Sequence, residues 1–227
     1  MISFLGLQAH QCLTVAELGR WAASKSLCAT KGIAMRLLHP ITEDEMIAVF
    51  LKTEIASERF RERMVALLER DGKNHRLVEA PDIDNIAENT YRRQLLGGYR
   101  AYVLEELPAE VSWYRALLNR EEVAKVRYID YSYWNEISGG SRLPIDAVNV
   151  IRAGRKIYGQ STEGFLHMAQ ALREGAHFPE LIVVGASSEA ELTLLEGHVR
   201  LTAYMLASDC LPDELEVIAG FAPGFTD

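Results

Sequence analysis

The chain has 227 residues, 48% of them apolar and 25% charged, enough for one large domain or two small ones. That mixture excludes a disordered chain, a collagen-like repeat and a small disulfide scaffold, and no apolar run approaches the roughly 20 residues that span a bilayer. The net charge of −8 falls wholly in the second half: residues 1–120 hold 16 Lys and Arg against 16 Asp and Glu, and residues 121–227 hold 8 against 16.

An acidic second half repels phosphates, so a broad DNA-binding face is not expected while a local basic site stays open. The opening stretch has no basic segment followed by a long apolar one, and no secretory signal is expected. Cys12, Cys28 and Cys210 form no CxxC pair and read as reduced thiols of a cytoplasmic protein.

The first forty residues are hard to place, apart from a short helix over Thr14–Ala23 with Thr14 as cap and Glu17 three positions on. Thr42 caps a clear helix whose acidic first turn, Glu43, Asp44 and Glu45, complements the helix dipole. Ser57 caps a second, with Phe60, Met64, Leu67 and Leu68 at helical spacing and Asp71-Gly72 at its end. A connector interrupted by Pro81 leads to a third helix over about 84–102. A fourth is expected around Trp113–Leu118, so residues 1–122 read as a helical region.

Near Val123 the pattern changes. Val126–Tyr131 is aromatic and β-branched, hence a strand, and Ser138–Pro144 is a loop of breakers. A helix over Glu163–Glu174 ends at Gly175, and Leu181–Gly185, Leu192–Leu195 and Leu215–Gly220 read as strands. Glu196-Gly197-His198 turns the chain into a helix over Val199–Ala207. The fold class is α+β: a helical N-terminal region, 1–122, and a mixed-sheet domain, 123–227.

Leu194 to Tyr204 carries the most chemistry. It passes from strand to helix through Gly197, and a helix N-terminus with free N–H groups is a natural anion site. Arg200 in the first turn suits bidentate phosphate binding, and His198 suits donation to the same anion or proton shuttling. The plain alternative is a glycine punctuating an ordinary strand–helix turn beside surface side chains.

Residues 131–219 resemble the ParB/sulfiredoxin-like superfamily. The likeness rests on Arg142 at the end of an early loop, the helix Gly164–Leu172 with Gly175, Phe178-Pro179 leading into the apolar strand Leu181–Val184, and the G-x-x-R turn Gly197-His198-Val199-Arg200. It implies a mixed-sheet domain with a nucleotide phosphate pocket, for ATP, ADP or CTP with Mg²⁺, in which Arg142, Gly197, His198 and Arg200 hold the nucleotide. Sulfiredoxin repair chemistry needs a cysteine where this chain has Gly197, and no DNA-reading domain is expected after the motif helix. Glu196-Gly197-His198-Val199-Arg200 is closest to the free serine kinase branch.

That branch implies Mg²⁺-dependent phosphoryl transfer to a small hydroxyl-bearing molecule, or nucleotide hydrolysis. Glu136 or Glu196 would be the catalytic carboxylate, His198 would position the transferred group and Glu196 would bind the metal. The competing class is a non-catalytic ParB-like module that binds a nucleotide or docks a protein partner on its helical half, and a ParB-like nuclease comes third. Among weaker candidates, Arg152, Arg155 and Lys156 are a nucleotide-attracting lip or a solvated turn. Tyr128, Tyr131, Tyr133 and Trp134 are core or pocket wall before they are a base-stacking surface. Glu88–Arg93 is an exposed helix face or a partner site. The six histidines form no zinc-ligand pair.

Overall fold

The computed structural model describes residues 35–105 and 107–226. These fall within one compact unit, Ile33–Asp227. The expected helix over Thr14–Ala23 and Cys12 and Cys28 lie outside the described residues.

Strand β1 (Arg36–Ile41) precedes helices α1 (Glu43–Ala56), α2 (Glu58–Arg70), α3 (Arg76–Glu79) and α4 (Ile86–Glu105). Then come β2 (Ser112–Asn119), α5 (Arg120–Val123), α6 (Ser132–Ile137), α7 (Pro144–Arg152) and α8 (Glu163–Arg173). Strands β3 (Leu181–Gly185) and β4 (Thr193–Glu196), helix α9 (His198–Leu206) and strand β5 (Glu214–Phe221) complete the chain. The five strands form one mixed sheet in the order β1-β2-β5-β3-β4. Only the β3–β5 pair is parallel.

Period-2 alternation sends the strand side chains to opposite faces of this sheet. Ala116, Leu118, Leu181, Val183, Leu194, Val217 and Ala219 pack with α7, α8 and α9 in one core. Trp113, Ile182, Val184 and Ile218 pack with α1, α2 and α4 in the other. The fold is therefore mixed α and β, with helices on both faces.

The sheet runs across the division expected at residue 122, because β1 and β2 come from the half that reads as helical. The stretch Trp113–Leu118, expected to be a helix, is β2. Six residues with apolar positions at 113, 116, 117 and 118 satisfy either period, and pairing along the whole of β5 decides for strand. Val126–Tyr131 makes no strand of the sheet. Arg127 forms an isolated bridge with Thr193, and Tyr128 turns its ring into the core. Thr42 caps α1 as expected, in a capping box with Glu45. The strands at β3, β4 and β5 and the helices α2, α8 and α9 also stand where the sequence places them, within a residue or two. Among the described residues, no helix is long and apolar enough to cross a membrane.

Candidate functional site

The β4–α9 junction is built from Gly197 outward. Its backbone, at φ 107° and ψ 21°, occupies left-handed space that side chains disfavour, and this reversal turns the strand into the helix. A Cβ there would lie 2.5 Å from Leu181 Cδ2, so only glycine lets the turn close on β3. α9 begins at His198 with no side-chain cap, one residue before the expected start. Its first-turn amides and dipole favour an anion.

Arg200 turns inward. Its side chain is 7% exposed, Nη1 donates to the carbonyls of Pro179 and Glu180 at 2.8 Å each, and Nη2 donates to Glu196 Oε1 at 2.8 Å. The residue expected to hold phosphate thus clamps the lead-in of β3 to the end of β4. Glu196, expected to hold metal or act as base, is the other half of that clamp. Glu180 extends the network: its carboxylate accepts from Arg115 on β2 at 2.7 Å, and Arg115 also donates to Glu216 on β5 at 2.8 Å. Burial is the largest single influence on Glu180 and favours its neutral form, but the hydrogen bond and charge of Arg115, a backbone hydrogen bond and the charge of Arg200 together hold the carboxyl below its ordinary range.

His198 lies in an aromatic nest. Its ring stacks on Trp134 at 4.8 Å and faces Tyr128 at 6.0 Å, and Nε2 is buried without a hydrogen-bond partner. Burial first, then the charges of Arg200 and Arg100, bring its pKa down from 6.5 to about 3. The imidazole is neutral at physiological pH and too weak a base for the shuttle expected of it. The Tyr128 hydroxyl shares a 2.6 Å hydrogen bond with Thr202 on α9, and burial raises its pKa.

Arg142 joins this neighbourhood through the backbone. At φ 61°, it donates from Nε to the Tyr128 carbonyl at 2.8 Å, while the Tyr128 N–H donates back to the Arg142 carbonyl at 2.8 Å. Burial lowers its guanidinium pKa, against the pull of Asp130. Glu136 does not join. It is exposed on α6, about 200° around the helix from the inward-packed Trp134.

The structure thus brings Tyr128, Trp134, His198 and Arg142 into one neighbourhood, pairs Glu196 with Arg200, and leaves Glu136 outside. Sequence reasoning missed Arg100 of α4, whose charge reaches His198, and Arg59 of α2, whose charge reaches Tyr133. No local signal in the chain links residues so far apart. Two surface concavities, one along Glu58–Glu69 and one around Gly72–Leu77 and Glu88, lie on the first-half helices rather than at the Gly197 turn.

The first turn of α9 has no side-chain cap, and its amides and dipole have the sign an anion needs. The carboxylates do not fit a magnesium ion, since Glu196 is engaged by Arg200 and Glu136 is elsewhere. Among the described residues, no group of three or more His, Cys, Asp or Glu is placed to hold a metal. Compared with known proteins, the chain matches no family model, no curated protein and no solved structure.

Proposed function

We propose that the chain is a ParB/sulfiredoxin-like binding module that takes the phosphates of a nucleotide on the amides opening α9 and performs no phosphoryl transfer. One observation carries this reading: Arg200 and Glu196 are committed to each other and to the Pro179 and Glu180 carbonyls. A kinase or nucleotidase would need that arginine on the phosphates and that carboxylate on the metal or the acceptor hydroxyl. What remains available is the uncapped helix end, framed by the neutral His198 and the left-handed Gly197.

ATP, ADP and CTP are the nucleotides to screen, each with and without Mg²⁺, by thermal shift. Binding should stabilise the fold by about 2.7 kcal/mol at a hundredfold excess over Kd, with or without the metal. Val199, 38% exposed in the first turn, offers a clean control. Val199→Glu complements the dipole and should leave the fold intact or stabilise it by about 0.3–1 kcal/mol, while its charge repels phosphate and abolishes the shift. Nucleotide hydrolysis, or transfer to free serine, that disappears in Glu196→Gln would overturn the reading.

A further inference from the structure

Between α7 and α8 the chain makes a two-residue hairpin that the proposed nucleotide site does not use. Ile157 and Gln160 exchange both backbone hydrogen bonds, at 3.0 and 2.9 Å, around the central pair Tyr158-Gly159. Both central residues have positive φ, 48° and 78°, the mark of a type I′ turn. Asn, Asp or Gly is favoured at the first of these positions, and here a tyrosine holds it against its backbone preference. The hairpin is well anchored, with Ile157 in the core and buried Thr162 donating from Oγ1 to the Arg155 carbonyl at 3.0 Å.

The tip is a presented surface. Tyr158 is 64% exposed, and its hydroxyl reaches the Ser132 carbonyl at 3.4 Å, at the start of α6, where the preceding residue in the chain, Tyr131, is 59% exposed. Arg155 and Lys156, immediately before the hairpin, are exposed. No carboxylate within ion-pair distance of either is found among the described residues. They are unneutralised cations in a half of the chain where acids outnumber bases two to one.

We propose that this hairpin is a contact site for single-stranded nucleic acid, with Tyr158 and Tyr131 stacking on unpaired bases and Arg155 and Lys156 taking the flanking phosphates. Exposed rings on a convex tip suit a strand laid across them, whereas a small ligand seeks a concave pocket. A duplex offers no free base face, and its many phosphates meet a half of the chain in which acids outnumber bases two to one. The charge complementarity is local, so a short strand is the occupant.

Fluorescence anisotropy of the full chain with a labelled mixed-sequence 12-nucleotide single strand, and with the same sequence as a duplex, tests this. The single strand should bind and the duplex should bind much more weakly. Tyr158→Asn puts a favoured residue into the turn, so its melting temperature should equal or exceed that of the natural chain while its affinity falls about fivefold or more. Arg155→Gln with Lys156→Gln should weaken binding and flatten the slope of log affinity against log salt by about 1.4. The proposal fails if the natural chain does not bind the single strand, if Tyr158→Asn binds it equally well, or if the duplex binds as tightly. Capture of an acidic peptide by these residues, without the oligonucleotide, would also overturn it in favour of a protein partner.

Discussion

Two arginines show what burial does to a guanidinium in this chain. Arg92 is fully buried and donates to the carbonyls of Leu77 and Asp82 and to Asn89, tying α4 to the connector before it. Arg200 does the same for the lead-in of β3, with Glu196 beside it. A buried cation is tolerated only where fixed acceptors replace its water, and chain carbonyls supply them here. His198 meets the opposite condition: half-buried, with its Nε2 atom buried and unpartnered, it stays neutral. The unfolded chain takes up a proton near pH 6.5 and the native one only near 3, so stability falls as pH drops through that window. Between pH 7 and 5, urea unfolding of the natural chain should lose about 2 kcal/mol more than that of His198→Gln. Equal losses would show that His198 titrates normally in the fold.

At the scale of elements, the legible parts of the chain were those with local chemistry. Thr42 and Glu45 announce α1 because a capping box is written in four residues, and Leu181–Gly185 announces β3 because an apolar run followed by glycine suits a buried strand. The turn at Gly197 was legible for the same reason, but the direction of Arg200 was not. Its acceptors lie on Pro179 and Glu180, 20 residues away or more, and only tertiary packing brings them near. β2 was read as a helix because its strand character comes from pairing with β5, about a hundred residues later. That pairing sets Trp113 opposite Gly220, with the indole lying over the glycine. A Cβ on Gly220 would sit 2.6 Å from Trp113 Cζ3. Gly220→Ala should therefore destabilise the fold by about 1–3 kcal/mol, and Trp113→Leu in the same chain should recover part of the loss. A variant Gly220→Ala that unfolds like the natural chain would contradict the register of β2 on β5.

At the scale of the whole molecule, one sheet separates two cores, and its second face is closed by helices from the first half of the chain. A seam of charge crosses the sheet: Arg115 of β2 reaches Glu216 of β5 and Glu180 before β3, whose carbonyl meets Arg200 of α9, itself paired with Glu196 of β4. Arg200 is the end of that seam and holds the sheet to α9, so on the proposed reading it is the helix amides that would take a nucleotide's phosphates. Denaturant unfolding and nucleotide titration of Arg200→Gln, carried out side by side, separate the two roles. Loss of the guanidinium strands Glu196 and two carbonyls, so stability should fall by about 3–5 kcal/mol while nucleotide Kd stays within about threefold of the natural chain. Unchanged stability with a Kd raised about tenfold or more, the loss of a charge-assisted bidentate contact, would place Arg200 on the phosphates and contradict the internal clamp.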